Sequence, residues 1–292
     1  MRFTEYLKLM RIPQWYKNLV ILLPLFFVGD LFQIGFLKLI VFGFFGLCFI
    51  SSANYALNDI VDIAKDMVHP EKKLRPLASG KISILEAVLL IVLLLAVGLY
   101  IGYCLNTLFL LCLVFLFLFT VFYSLALKKE VVADVIAIAI NFVVRAISGA
   151  FIINVNISPW LILCPFFLAL FLAVGKRFAD FKYMKENAHH HKVVLKYYTP
   201  EMTNALMIIS TACLIVSYAL YSLSRNSLML ITLPFAIYAV FRYYHLITSG
   251  SKIARHPEMV YTDWRLLASI MLWVAILGAI FYFVPVDPKI FF

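Results

Sequence analysis

Apolar runs of about twenty residues repeat along the whole chain, each closed by a short cluster of charge, proline or glycine. A helix needs ~20 such residues to cross the hydrocarbon of a bilayer. Only a helix or a closed barrel satisfies its own backbone there. Hydrophobic residues make up 64% of 292 and charged residues 14%, whereas a soluble domain carries roughly a quarter charged residues. No run is set apart from a soluble half, so residues 1–292 read as a single integral membrane domain. The expected class is all-α, a polytopic bundle of about nine transmembrane helices.

Cutting at the charge clusters gives spans near 18–28, 36–57, 84–103, 107–125, 131–153, 158–175, 201–221, 227–246 and 264–284. The first is short and extends back through Gln14, Trp15 and Tyr16, read as an aromatic anchor at the interface. Polar loops recur near 58–82, 125–134, 175–200 and 247–263, after alternate spans, so the spans pair into hairpins. Arg2, Lys8, Arg11, Lys17, the 65–81 group, Lys128, Lys129, the 176–196 group, Arg242, Lys252, Arg255 and Arg265 then fall on one side. The other side keeps only Lys38, Arg225 and Lys289. The positive-inside rule places the N-terminus and the long loops in the cytoplasm of a cell-membrane protein. A formal net charge of +10 becomes a one-sided field that draws anionic lipid and phosphorylated substrates. No nucleic-acid partner is expected, a homo-oligomer is allowed, and no cleavable signal peptide is evident.

The stretch NDIVDIAKDMVHPEKKLRPLASG, 58–80, carries the chemistry. Asp59, Asp62 and Asp66 are three and four residues apart, a spacing that returns to one helical face. Like charges so close raise each other's pKa unless a cation lies between them. Hard oxygens with room for water suit Mg2+, which takes one or two carboxylates and completes its shell from phosphates. Lys65, Lys72, Lys73, Arg75 and Lys81 follow. Acids for a metal and bases for phosphate read as a Mg2+–diphosphate site at a membrane surface. A solvated loop with scattered charge is the plainer alternative, and the acid spacing and rigid Arg75-Pro76 argue against it.

Other polar features say less. Cys48, Cys104, Cys112, Cys164 and Cys213 lie in apolar spans without C-x-x-C spacing and read as packing residues. His189, His190 and His191 are adjacent and point different ways on a helix, so a solvated loop outweighs a metal site. Lys128, Lys176 and Arg177 stand at membrane edges, where snorkelling is the ordinary explanation. Arg145 lies mid-span, a costly place for charge. Asp134 is eleven residues earlier on the same helix. Pairing of Arg145 with an acid and contact with a ligand stand level.

Four stretches are similar to the UbiA-type membrane prenyltransferase superfamily. They are RIPQWYKN from Arg11 to Asn18, the N-D-x-x-D-x-x-x-D with its H-P and R-P followers, YSLALK with the later Asp134 and Arg145, and GKRFAD from Gly175. The Asp motif is specific to the superfamily, and the other three point to the branch that acts as polyprenyl-phosphate phosphoribosyltransferases. Members with aromatic acceptors carry a second Asp-rich loop after the sixth span. Here that loop has only Asp180 and Glu186 among Lys176, Arg177, Lys182 and Lys185. Fewer acids and more bases suit two phosphorylated substrates.

The resemblance implies a Mg2+-dependent glycosyl transfer from phosphoribosyl diphosphate to a polyprenyl phosphate, releasing diphosphate. It assigns Asp59, Asp62 and Asp66 to metal and catalysis. It assigns substrate contact to Lys17, Asn18, Asn58, Lys73, Arg75, Tyr123, Lys128, Asp134, Arg145, Lys176 and Arg177. The nearest rival is prenyl transfer from a prenyl diphosphate to a small aromatic acceptor. A transporter would place broken helices at the midplane, and no convincing pair is present.

Overall fold

The computed structural model describes residues 2–70, 72–186, 198–255 and 257–283, and among these every regular element is helical. In chain order they are α1 (Arg2–Met10), a 3-10 stretch (Ile12–Leu22) that continues into α2 (Leu23–Val28), α3 (Ile34–Val61) and α4 (Ile63–Val68). Then follow α5 (Ile84–Leu105), α6 (Thr107–Leu125), α7 (Ala133–Ile152), α8 (Pro159–Glu186), α9 (Pro200–Arg225), α10 (Leu233–Thr248), α11 (Lys252–Arg255) and α12 (Trp264–Phe283). Eight of the described helical segments are long and apolar enough to span a bilayer, and Ile12–Val28 is a shorter ninth. This is the expected all-α, polytopic architecture.

Two boundaries differ from the sequence reading, for one reason. α3 runs on to Val61 and α8 to Glu186. Asn58 and Asp59, like Lys176, Arg177 and Asp180, therefore stand on helix rather than in loops. Polarity marks the end of the hydrocarbon, not the end of the helix, because backbone hydrogen bonding continues in water. His189, His190 and His191 lie outside the described residues.

Helix starts follow local chemistry. Ser83 and Glu86 form a capping box, with the Glu86 amide donating to Ser83 Oγ at 3.2 Å and the Ser83 amide to Glu86 Oε2 at 2.8 Å. Asn106 ends α5 and caps α6, accepting from the amides of Leu108 (2.7 Å) and Phe109 (3.3 Å). Thr199 caps α9 through the Met202 amide.

The chain groups into two compact units. The first comprises residues 1–25, 30–128 and 143–157. Its core joins Ile40, Leu47 and Ile50 of α3 to Phe109, Leu113 and Leu116 of α6, with Ile21 and Ile152 closing it. A methyl added at Gly98 of α5 would stand 3.1 Å from Ile50 and 3.4 Å from the Gly46 carbonyl, so α3 and α5 touch nearly backbone to backbone. Such approach matters in lipid, where packing rather than water exclusion holds helices together.

The second unit comprises residues 26–29, 129–142 and 158–292. Phe171 and Val174 of α8, Met207 of α9, Ile247 of α10, Ile253 of α11 and Leu266 of α12 form its core. Three polar side chains of its interior are linked in a chain: Trp273 Nε1 donates to Tyr218 Oη at 2.7 Å, and Tyr218 is bonded to Thr232 Oγ1. Asp263 does two jobs at the start of α12. It accepts from the Leu266 amide at 2.9 Å and from Arg242 Nη2 of α10 at 2.7 Å. The Arg242 hydrogen bond holds the Asp263 carboxyl below the usual carboxylate range.

A group with a lowered folded pKa contributes stability above its unfolded value and loses it as pH falls through the folded one. Asp263→Asn should therefore lower the unfolding temperature of the purified protein near neutral pH, and the gap from wild type should close under acid. A thermal melt series from pH 7 downward checks this, and a gap that stays constant would remove Asp263 from the pH response.

Candidate active site

The acidic stretch straddles a break between two helices. Asp59 is on the last turn of α3, and Asp62, with φ −98° and ψ 7°, separates α3 from α4. Asp66 is on α4. Asp59 and Asp66 are buried, 3% and 2% exposed. They converge on one guanidinium: Arg75 Nη1 donates to Asp59 Oδ1 at 3.0 Å and to Asp66 Oδ2 at 2.6 Å. Arg11 Nη2 also donates to Asp59 Oδ1, and Lys72 Nζ lies 3.9 Å from Asp66. Asp62 turns elsewhere, with Lys128 Nζ 3.4 Å from each of its oxygens and Lys65 Nζ at 3.9 Å.

The expected convergence of three acids is thus a pair plus one. A continuous helix would have gathered them, but the break at Asp62 rotates the second turn. Among the described residues no three His, Cys, Asp or Glu side chains close on a common point.

Arg11 arrives by backbone geometry. It adopts a left-handed conformation, φ 52° and ψ 48°, between α1 and the Ile12–Leu22 stretch, uncommon for a residue other than glycine. Its guanidinium also lies over the Tyr55 ring, 5.0 Å from the centroid. The RIPQWYKN stretch carried this residue, but only the structure pairs it with Asp59. Trp15, half-buried, ties the Ile12–Leu22 stretch to α3. Its indole donates to Ser52 Oγ at 3.0 Å and packs edge-on against Phe45 and Phe49.

Asn18 is turned into the interior of the first unit. It is 2% exposed and donates to Cys48 Sγ at 3.3 Å. Lys17 is half-buried beside the Tyr16 ring. Asn58 has its Oδ1 buried without a hydrogen-bond partner, and it lines a small cavity with Asn54, Ser124, Leu57 and Val121. Lys73 is exposed and Tyr123 half-buried. Arg145 is half-buried on α7, and its electrostatic neighbours include Tyr55 and Cys48.

The second unit has its own polar centre. Asp134, in the first turn of α7, has no exposure at all. Its Oδ2 accepts from Arg177 Nε of α8 at 2.7 Å, and its Oδ1 accepts from Tyr198 Oη at 2.6 Å. Arg177 is 4% exposed, and its Nη1 lies 4.0 Å from Asp180 Oδ2. Arg255 Nε of α11 is 3.6 Å from the other Asp180 oxygen. Asp134 and Arg177 are thus paired with each other at the polar end of α8. Asp134 is also three helical turns, roughly 16 Å, from Arg145, so its ion-pair partner is Arg177. Lys176, the next residue on α8, is half-buried.

Tyr198 was not legible in the sequence, being one tyrosine of 16 with no motif around it. It is 1% exposed and accepts the Val132 amide at 3.0 Å. Burial, and then the bond to Asp134, push its hydroxyl pKa well up, so it stays a proton donor throughout the physiological range. Val132 has φ 67°, a genuine outlier for a β-branched residue. Such a conformation costs about 1–3 kcal/mol and persists only where its surroundings fix it.

Comparison with known proteins places this arrangement. The model of the UbiA prenyltransferase family matches residues 21–261. The chain belongs to that family. It is 29% identical to the decaprenyl-phosphate phosphoribosyltransferase of Mycolicibacterium smegmatis, over 95% of this chain and 92% of the relative. It is 27% identical to the enzyme of the same name from Corynebacterium glutamicum, over 96% and 87%. A solved UbiA homologue from Archaeoglobus fulgidus, bound to GPP and Mg2+, superposes with a TM-score of 0.71 at 22% identity, covering 95% of this chain and 99% of that one. That last likeness is one of fold. As a UbiA family member with eight described helices long and apolar enough to span a bilayer, the protein is a multi-pass membrane transferase.

Within this UbiA protein the Arg75 bridge is the most heavily loaded contact of the first unit. Removing one partner of a buried ion pair costs about 3–5 kcal/mol, because the other charge is left uncompensated. The Arg75 side chain is 28% exposed, so the effect should be nearer about 2–3 kcal/mol. Arg75→Ala is expected to lower the unfolding temperature by several degrees, and adding Asp66→Asn should recover part of the loss. A double-mutant cycle on the purified protein checks this; simple additivity would mean that the two groups are not coupled.

Proposed function

We propose that the protein transfers a 5-phosphoribosyl group from phosphoribosyl diphosphate to a polyprenyl phosphate at the cytoplasmic membrane face, releasing diphosphate. The observation that carries this reading is the surplus of cations at the acidic cluster. Asp59, Asp62 and Asp66 face Arg11, Arg75, Lys65, Lys72 and Lys128. A prenyl diphosphate and a neutral acceptor bring one diphosphate, which a metal and a few bases balance. Phosphoribosyl diphosphate with a lipid phosphate brings three phosphorylated groups, and the extra bases answer that load. The name shared by relatives at 27–29% identity supports the same reading.

The donors present fit a magnesium ion. The two carboxylates of Asp59 and Asp66 are hard oxygen ligands, the Asn58 Oδ1 is buried without a partner, and Mg2+ characteristically takes one or two carboxylates. Asp59 and Asp66 would hold it, with Asp62 as the third acid assigned to it. When bound, the ion neutralises charge on the departing diphosphate. Lys72 and Lys128 are assigned to phosphate oxygens, a charge-assisted contact that also orients the donor. The bond from the anomeric carbon to the diphosphate oxygen breaks, and its electron pair leaves with the diphosphate. An oxygen of the lipid phosphate forms the new bond from the opposite face, which inverts that carbon. A phosphate monoester is largely dianionic at neutral pH, so this step needs no general base. Lys17, in the same unit as the acid cluster, is assigned to the 5-phosphate.

A second reading has one observation in its favour. Structural neighbours of the same fold were solved with GPP or DMAPP and Mg2+, so prenyl transfer to a small acceptor is the competing activity. Incubating the purified protein in lipid nanodiscs with radiolabelled phosphoribosyl diphosphate and a polyprenyl phosphate decides between them. Labelled lipid is expected, and label absent there but prenylated acceptor formed from a prenyl diphosphate would reverse the assignment.

In the same assay EDTA should stop turnover. Asp59→Asn should reduce it by about two orders of magnitude or more, while Asp62→Asn should also be severe. Full turnover in EDTA would sink the metal assignment. Orientation has a separate check. In a cysteine-free background, Lys73→Cys should resist a membrane-impermeant maleimide in intact cells and react once the cells are opened. Labelling of intact cells would invert the topology.

A further inference from the structure

Arg75 stands between the two buried acids of the first unit with a single nitrogen. Its Nη1 donates to Asp59 Oδ1 at 3.0 Å and to Asp66 Oδ2 at 2.6 Å. Nε and Nη2 make no hydrogen bond or ion pair with any described residue. The acids are 3% and 2% exposed, whereas the Arg75 side chain is 28% exposed. The guanidinium is thus the part of this bridge that meets the outside, with two nitrogens to spare.

The main chain beneath it is fixed. The Arg75 amide donates to the Lys72 carbonyl at 2.9 Å, and the Ser79 amide donates to the Arg75 carbonyl at 2.9 Å. Pro76 locks the next φ. Arg75 can therefore leave the acids by side-chain rotation while the turn stays in place. A magnesium ion binds oxygen at about 2.1 Å and cannot share these two oxygens with a nitrogen that already holds both. Metal and Arg75 compete for one position.

Charge sets the outcome of that competition. A divalent cation entering alone must displace a cation from its acids and then lie beside Arg11, which also holds Asp59, and Lys72 near Asp66. That repulsion cancels much of what two carboxylates give. A cation carried on a diphosphate brings its own counter-charge. It also offers the displaced guanidinium a forked acceptor.

We propose that Arg75 is a specificity-determining residue: by holding Asp59 and Asp66 itself, it makes the acid pair turn away a bare divalent cation and accept one carried on a diphosphate, to which the guanidinium then transfers. The proposal rests on the reading of Asp59 and Asp66 as metal ligands. It is indifferent to whether a phosphoribosyl or a prenyl group is attached to the diphosphate.

Mn2+ binding to the full-length protein in phosphatidylcholine nanodiscs, read from the EPR signal at matched free Mn2+ with and without inorganic diphosphate, tests this. Arg75→Gln should bind Mn2+ alone at least about tenfold more tightly than wild type does, the scale of a unit charge a few ångströms from the ion. The gain in Mn2+ affinity that diphosphate brings should shrink by a similar factor. Lys72→Gln removes a charge 3.9 Å from Asp66 but leaves the bridge intact, and should change the affinity for Mn2+ alone less than about threefold. The displacement is also readable in wild type, whatever the folding of Arg75→Gln. Phenylglyoxal, which modifies unpaired guanidinium groups, should react with Arg75 faster at saturating Mn2+ than in metal-free buffer, and slowly again once diphosphate joins the Mn2+. Peptide mapping by mass spectrometry locates the modification.

Equal binding of Mn2+ alone by wild type and Arg75→Gln overturns the proposal. So does an equal gain in Lys72→Gln, or an Arg75 reactivity that Mn2+ does not raise. Asp59→Asn separates this inference from the one beneath it. If Mn2+–diphosphate binding survives that change, the metal is not on these acids and both readings fall. If it is lost while Arg75→Gln leaves bare Mn2+ binding unchanged, the metal assignment stands and only the exchange falls.

Discussion

Two carboxylates held on one guanidinium organise the first unit. Asp59 closes α3, Asp66 lies on α4, and Arg75 comes from beyond the Lys72–Leu74 turn, so the bridge folds the whole 59–75 segment back on itself. Unshielded, the two acids would repel at a depth where water cannot screen them. The surrounding geometry follows from that need. Arg11 accepts a left-handed backbone to reach Asp59, and Lys72 approaches Asp66 from the other side. Asp62, released by the break between the two helices, is answered by Lys128 from the end of α6.

The second unit solves a similar problem with a different part. Asp134 is entirely buried and shared between a charged donor, Arg177, and a neutral one, Tyr198. A single ion pair at that burial gains little over its desolvation cost; the added hydroxyl gives the second carboxylate oxygen a donor of its own. The result is directional. A point charge alone would permit rotation of the carboxylate, whereas two donors at its two oxygens fix it.

The class was written in the composition and the apolar runs, because hydrocarbon admits so few backbone solutions. Most span positions were legible for the same reason. The ends were not, since α3 and α8 continue as helix past the polarity change that marked them. At the site, the acid spacing and the following bases announced a cation-rich cluster, but the spacing assumed an unbroken helix, and Asp62 departs from it. Arg11 and Tyr198 were beyond sequence reading in a stronger sense. Their partners are 48 and 64 residues away, and nothing local in a chain rich in both apolar and basic residues distinguishes them. Asp134 and Arg145, eleven residues apart, illustrate the converse: nearness along a helix suggested a pairing that the third dimension gives to Arg177.

Asn106 makes the tightest helix connection of the first unit. It is the one residue between α5 and α6, ending the first in extended backbone and accepting two amides of the second. A turn so short leaves no slack, and its side chain supplies what the opening amides of α6 would otherwise seek from water. The two helices are therefore mechanically one object, a closed hairpin whose tip carries little polar penalty. Such an object can enter a bilayer in a single step and offer α3 a ready-made pair of surfaces. The order in which the first unit assembles would then be governed less by the sequence of its helices than by which of them arrive already joined.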